Sequence, residues 1–431
     1  MFEEWFMSLI FKPQNGLQLE LINQKGFRTP LVKIVRNSML MSVLNESILK
    51  KERRPFIIFS GTHNIKHLDR LFITPLHKKI LQEKEVAFYF FEPLTHYLSP
   101  IPKGHIPGHI LNINNEPGDK ERIRSFELDS ISEWAKQHNI NNLVVYCTDY
   151  KCSDHYKSIY KNLKFKTLDL FVVWWSALYK KADNFYIPRK PITKKFWCGA
   201  WRYDISRHFI ISYLTSQKIH QNSNVSFYFR VSNKELKRRI WMGWKEFEIR
   251  HPYISKQILL GNEELQKIVP LSIEIEDPIA LEENCNDPGI DGRGKNSRIT
   301  DSPNNSYQES FCAIVLESRV AQPWPNISEK TLNAIKNKRP FIVVGSAGTL
   351  EMIKKMGFKT FDQWWDESYD NIENNIDRLS KICNTIFYIN NLELDEINSI
   401  YSQMKDILDH NQKNLLNLPK FYKRLNKKSV D

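Results

Sequence analysis

Glycine is scarce in this 431-residue chain, 15 residues in all, which excludes collagen-like and glycine-rich repeat architectures. Cysteine is scarcer still. The six residues Cys147, Cys152, Cys198, Cys285, Cys312 and Cys383 are too scattered for the disulfide framework of a small secreted domain. Only Cys147 and Cys152 are near neighbours, and their spacing fits neither a zinc knuckle nor a redox pair. Reduced thiols and a cytoplasmic location are the expectation. No stretch reaches the roughly 20 apolar residues of a membrane-spanning helix. The opening MFEEWFMSLIF is apolar but carries Glu3 and Glu4 and has no basic lead-in, so a secretory leader is not expected. No Asp-x-Asp follows an apolar strand in a convincing place, and no His/Cys cluster has ligand spacing. A metal site and a tightly bound cofactor are therefore not expected. No repeat recurs at solenoid periods.

What is present is an ordinary globular mixture, 41% hydrophobic and 26% charged, long enough for two or three domains with cores of their own. Lys and Arg number 62 against 49 Asp and Glu, a formal net charge of +13. A surplus of that size favours acidic partners such as phosphates, anionic headgroups or acidic sugars. The basic residues are spread along the chain rather than held in one block, so a nucleic-acid-binding arm is not indicated.

Short apolar runs alternate with amphipathic stretches, the pattern of an α/β chain. Residues 55–60 (PFIIFS), 86–92 (VAFYFFE) and 142–149 (NLVVYCTD) read as buried strands, and 165–175 contains another. Residues 186–195 (YIPRKPITKK), polar, basic and with two prolines, read as a linker. Beyond it, strands are expected at 195–200, 225–230, 269–276, 311–317, 340–344 and 385–389, with helices at 206–217, 329–337, 349–356 and about 371–381. These readings predict two doubly wound α/β halves: residues 1–190, residues 191–390 with a polar, flexible insertion at 282–306, and a helical, basic tail at 391–431. In open α/β sheets, ligands bind beyond the carboxyl ends of the strands.

The sharpest segment is ESFCAIVLESRVAQPWPNISEKTLNAIKNKRPFIVVG, residues 309–345. A buried strand ends at Glu317, a proline-containing loop follows, and Ser328 stands as an N-cap ahead of Glu329 and Lys330. A helix N-terminus offers free amides and the positive end of the helix dipole, which suits phosphate. Lys330 adds a full charge there, and the Glu329 carboxylate can accept hydrogen bonds from the vicinal hydroxyls of a ribose. The simpler reading is a capped helix with a surface Glu and Lys. Ser346-Ala347-Gly348, after a second strand ending at Gly345, has the make-up of a phosphate-cradling turn, a weak signal on its own.

Strand, loop, Ser-Glu-Lys, helix and Pro-Phe-x-x-x-Gly together resemble the donor-binding half of GT-B glycosyltransferases, and the α1,3-fucosyltransferase-like group in particular. Residues 194–214 (KKFWCGAWRYDISRHFIISYL) are similar to the segment that opens that group's C-terminal domain, where an arginine at a helix start reaches the donor diphosphate. The resemblance implies two Rossmann-like domains facing each other across a cleft, with a C-terminal helix returning to the N-terminal domain. It implies a ribose contact from Glu329 and phosphate contacts from Lys330 and Arg207, with Arg202 as a neighbour able to do the same work; Glu317, Ser328 and Gly345 complete the expected donor-binding residues. The two blocks cover under a third of the chain. Ser318 stands where the group has Asn, and the stretch after Gly345 is more similar to bacterial and phage glycosyltransferase-like proteins.

An inverting transferase needs a general base for the acceptor hydroxyl. Glu92, which leaves an apolar strand directly before a proline, is the first choice. His63 and Asp149 stand at analogous strand ends, and His96, Asp154 and His155 are weaker; the plainer reading of Glu92, His63 and Asp149 is a turn or capping residue. Arg230, Lys234, Lys237, Arg238 and Arg239 with Trp241 and Trp244 read as a solvated helix face over an apolar stripe, and Trp364 and Trp365 as packing residues. The expected activity is transfer of a sugar from a nucleotide sugar to a glycan or lipid-linked acceptor. Inversion, metal independence, no nucleic-acid partner and a peripheral contact with an anionic membrane complete the expectation. A GT-B-like binding protein without catalysis, and a basic nucleic-acid-binding protein, are the alternatives.

Overall fold

The computed structural model describes residues 34–35, 56–59, 82, 86–90, 126–141, 143–147, 156–167, 191–200, 203–239, 244–273, 305–317, 320 and 325–428. The chain divides into two compact units. Met1–Gly104, Pro117–Trp174 and Leu418–Asp431 make one; His105–Glu116 and Trp175–Asn417 make the other.

The first unit carries a five-stranded parallel sheet: β1 (Ile34–Val35), β2 (Phe56–Phe59), β3 (Val86–Phe90), β4 (Leu143–Cys147) and β5 (Lys164–Thr167). Helix α1 (Phe126–Gln137) buries Leu128, Ile131, Trp134 and Ala135, the apolar positions at three- and four-residue spacing that a helix places on one side. It stops where Asn139 adopts φ 53°. The Ile140 amide then donates to the Ala135 carbonyl at 2.8 Å, closing a Schellman turn. The strands lie side by side in chain order, so among the described strands this sheet has no point where the order reverses. The doubly wound arrangement expected of both halves is therefore not seen in these strands.

The second unit holds β6 (Lys194–Ala200), β7 (Asn224–Phe227), β8 (Ser310–Leu316) and β9 (Phe341–Val344), all parallel and ordered β7-β6-β8-β9. From β6 the chain returns to β7 on one side; from β8 it returns to β9 on the other. Helix α2 (Ile205–Ser216) makes the first crossover and leads into the 3-10 turn Ile219–Asn222. β8 and β9 are buried along their whole lengths, as strands covered on both faces must be.

Helix α5 (Pro252–Ile268) packs against α2, and α3 (Asn233–Arg239) and α4 (Trp244–Arg250) pack against α5. The approach of α5 to α2 is so close that a Cβ on Gly261 would stand 1.8 Å from the Ser212 carbonyl oxygen. The short turn α6 (Asn305–Gln308) precedes β8, and α7 (Glu329–Lys336) and α8 (Thr349–Lys355) follow β8 and β9. Helices α9 (Asn375–Asn390), α10 (Leu394–Gln403) and α11 (Lys405–Lys428) complete the chain, in keeping with the helical periodicity expected of the tail. Among the described residues no helix is long and apolar enough to cross a membrane.

Three sequence expectations give way. Residues 385–389 (TIFYI) are not a strand but the last turns of α9. The β-branched and aromatic composition favours a strand, yet Leu379, Ile382, Cys383, Ile386 and Ile389 recur at helical spacing and are fully buried, so tertiary packing decides. The strand expected at 269–276 is reduced to one antiparallel bridge between Phe227 and Leu271, and residues 274–276 lie outside the described set. Val269 is the C-cap of α5, whose burial of Ile258 and Leu265 carries the helix into that segment. The helix expected at about 371–381 starts later, because Ser368–Asn371 is a 3-10 turn and Asn374 caps α9 by accepting from the Ile376 and Asp377 amides. Most of the polar insertion at 282–306 lies outside the described residues; its last two positions, Asn305 and Ser306, belong to α6.

Candidate functional site

The reversal in strand order lies between β6 and β8. In an open α/β sheet this is where the loops leaving neighbouring strands part, opening a crevice at the carboxyl edge. The residues singled out in the second half cluster by chain position at that edge. Arg207 lies in the first turn of α2, soon after β6 ends at Ala200. Glu317 follows β8 directly, and Ser328, Glu329 and Lys330 begin α7.

Glu317 is fully buried and faces the chain rather than solvent. Its carboxylate accepts from the Ser328 amide at 2.9 Å, the Ser328 hydroxyl at 2.5 Å and the Thr331 hydroxyl at 2.6 Å. It fixes the start of α7, which its position at a strand end does not disclose. Ser328 is in extended backbone and caps the helix, its oxygen accepting from the Lys330 amide at 3.3 Å while its hydroxyl hydrogen goes to Glu317. The sequence expectation of an N-cap at Ser328 holds.

Lys330 lies close against the helix start. Its ammonium is 2.6 Å from the Glu329 carboxylate and 3.2 Å from Ser328 Oγ, and the Lys330 and Glu329 side chains are 17% and 20% exposed. Burial alone would raise the Glu329 carboxyl. The charge and hydrogen bond of Lys330, the local backbone and the charge of Arg207 outweigh it and hold the group below its ordinary value. Arg207, only 4% exposed, contributes the smallest of these effects. Tyr307 is stacked on Trp197 at 3.9 Å; burial first, and also the charges of Glu329 and Glu317, push its hydroxyl well above the ordinary value. Cys198, Cys312 and Cys383 are buried free thiols, and burial raises each of them.

Gly345 has a packing reason. A Cβ there would meet Thr349 Oγ1 at 2.9 Å and Val343 Cγ1 at 3.2 Å. At the Ser346-Ala347-Gly348 turn Gly348 adopts φ 80° and its amide donates to the Asp370 carbonyl at 2.7 Å, while the Asp370 carboxylate accepts from Leu350 N and Glu351 N in the first turn of α8 at 2.9 Å each. A carboxylate of the chain occupies the place an anion would take.

Arg378 was not anticipated. It is 2% exposed and reaches from α9 to the segments leaving β8 and β9, donating to Gly345 O at 3.0 Å and Val320 O at 2.6 Å. It also donates to Ile372 O, Glu373 O and the Asn375 side chain. Desolvation lowers its guanidinium to about 10, with Glu373 and Asp370 opposing. No sequence signal pairs it with carbonyls 33 and 58 positions away. Asn326, two residues ahead of Ser328, is 6% exposed and its side-chain Oδ1 has no hydrogen-bond partner among the described residues.

The other candidates separate. Glu92, His63, Asp149 and Arg202 lie outside the described residues, as do Ser318, His96, Asp154, His155 and Trp241. Among the basic residues of α3, Arg238 pairs with Glu235 at 2.7 Å, and Lys237 pairs with Glu248 at 3.5 Å and sits over the Trp244 ring. Lys234 is exposed, and Arg230 donates to the Val269 carbonyl at 2.9 Å. This is a solvated face over an apolar stripe. Trp365 is buried against Phe361 and Phe311, and Trp364 is half-buried beside Gln403. Among the described residues no three His, Cys, Asp or Glu side chains are grouped to hold a metal ion. No model of a known protein family matches the chain, and no curated protein matches it.

Proposed function

We propose that the second unit binds the nucleotide diphosphate of a sugar donor and that the protein is a GT-B-type glycosyltransferase, moving that sugar to a hydroxyl of a glycan or lipid-linked acceptor. The observation that supports this reading is the placement of Arg207 in the first turn after β6 and of the Ser328-Glu329-Lys330 turn after β8, the two strands between which the order reverses. Two cations, a capped helix start and one carboxylate there suit a diphosphate with a ribose attached. Lys330 and Arg207 would take the phosphates and stabilise the leaving diphosphate as charge builds on it. Glu329 would take the ribose hydroxyls. Glu317 and Arg378 would hold the two strand-end segments in place.

The acceptor hydroxyl would lose its proton to a general base. Glu92 is the first candidate, with His63 and Asp149 after it, and transfer would invert the anomeric centre. Glu92→Gln should abolish turnover and leave donor binding intact; near-normal turnover removes Glu92 from that role.

Calorimetry with nucleoside diphosphates tests the donor site. Lys330→Ala should weaken binding about tenfold or more, the loss expected when a charge-assisted contact to phosphate is removed. Unchanged affinity would overturn the assignment.

A further inference from the structure

We propose that the outer face of α5 is an interface between two copies of this chain, paired antiparallel about a two-fold axis at Leu260. The inference is independent of the donor-site reading above.

Helix α5 has two faces of opposite character. Ile254, Ile258, Gly261 and Leu265 recur at helical spacing and are buried, on the side that meets α2. Tyr253, Lys256, Leu260, Glu264 and Lys267 recur at similar spacing on the opposite side and are exposed. Tyr253 is 59% exposed and Leu260 47%. Ile249, near the end of α4 and 80% exposed, adds a third large apolar side chain to this stretch. Single apolar side chains on a surface are ordinary, whereas a contiguous group of them marks a place of interaction.

The charges indicate the occupant. From Lys245 to Lys267 four Lys and Arg stand against four Glu. The stretch therefore carries no net charge to draw it onto an anionic membrane. Its charges are instead segregated along the helix. Lys256 lies four residues before Leu260 and Glu264 four residues after it. A second α5 laid antiparallel across the first at Leu260 sets Lys256 of each copy opposite Glu264 of the other, Leu260 against Leu260, and Tyr253 beside Lys267. A two-fold axis makes every one of these contacts twice. A parallel pairing would set Lys256 against Lys256 and Glu264 against Glu264, which like charges oppose. Lys256 has no ion pair among the described residues, and Glu264 has only the exposed contact with Lys267 one turn away, at 3.1 Å. Both are thus available to a partner, since an exposed pair of that kind contributes little.

The test is sedimentation velocity on the full-length protein at about 1–100 µM, where a small interface associates. Ionic strength is kept at about 0.05 M so that surface charges are not screened. The wild type should dimerise and Leu260→Asp should stay monomeric. Lys256→Glu and Glu264→Lys should each weaken the dimer about tenfold, because each reversal places like charges at two symmetric contacts. The double variant Lys256→Glu/Glu264→Lys should return to within about threefold of wild type, a rescue that general loss of stability does not produce. A wild type that stays monomeric overturns the proposal, as does a dimer that survives Leu260→Asp. Failure of the double variant to recover refutes the antiparallel pairing at Leu260. Flotation with phosphatidylserine vesicles runs alongside: a monomeric wild type that binds them, and loses them in Leu260→Asp, gives the face to a membrane and overturns the proposal. Should Leu260→Asp fail to fold, the two charge reversals and their rescue decide alone.

Discussion

Removing the Glu317 carboxylate perturbs the second unit where β8 hands over to α7. The side chain is fully buried and accepts three hydrogen bonds, from the Ser328 amide, the Ser328 hydroxyl and the Thr331 hydroxyl. In Glu317→Ala the two hydroxyls can rotate toward other acceptors, but the Ser328 amide is fixed by the backbone. An orphaned buried donor costs about 1–3 kcal/mol, and a hydrogen bond to a charged group contributes about 1.5–3 kcal/mol. The contributions overlap, so the loss should be about 3–5 kcal/mol, a large share of the 5–15 kcal/mol that holds a typical domain together. At roughly 2–4 °C per kcal/mol for a unit of this size, the melting transition should fall by about 10 °C. Glu317→Gln keeps one acceptor oxygen and the shape, and should lose about 1–2 kcal/mol. Differential scanning calorimetry of the whole chain, with the two units' transitions fitted separately, measures both variants. A fall of less than about 2 °C in Glu317→Ala would show that the carboxylate does not hold the turn.

Gly261→Ala should destabilise by at least about 1–3 kcal/mol, since a methyl group 1.8 Å from the Ser212 carbonyl oxygen forces α2 and α5 apart; an unchanged urea midpoint would contradict the close crossing. Arg378→Met leaves the Gly345 and Val320 carbonyls without their shared donor and should cost about 3 kcal/mol or more, read from the same urea curves; a loss under about 1 kcal/mol would refute the clamp. The Glu329 carboxyl lies below its ordinary 4.5 in the folded chain. The stability it contributes is therefore fully present above that value and lost as pH falls through the lower, folded one. Glu329→Gln should accordingly flatten the fall of stability with pH below about 4.5, and an unchanged slope would disprove the pairing with Lys330. Asp370→Ala should loosen α8 by about 1–2 kcal/mol without altering diphosphate affinity; a loss of affinity would place the Ser346–Gly348 turn in the site after all.

Much of the frame is local and so was legible in the residues themselves. The continuous apolar run FCAIVL, bounded by a loop, forms a buried strand, and a Ser ahead of Glu-Lys caps a helix because its hydroxyl reaches an amide two residues on. The arrangement of the strands and the partners of the buried charges depend on contacts between distant positions. Sequence position made Glu317 look like a ligand group; the fold turns it inward to Ser328 and Thr331. Ser346-Ala347-Gly348 has the composition of an anion cradle, but the start of α8 that follows it is already capped by the Asp370 carboxylate, supplied about twenty residues later. The helical fate of TIFYI follows from the buried side of α9, formed by residues on either side of it.

The amino-acid order by itself determined the alternation of strands and helices, the cap at Ser328 and the charges beside it, because these depend on periodicity and on bonds spanning a few residues. Tertiary structure alone decided that the strand order reverses between β6 and β8, and that Arg207 and Glu329 feel one another. The physical reason is that electrostatic and hydrogen-bond energies depend on distance in space, and only the packed sheet brings segments more than a hundred residues apart in sequence within reach of each other.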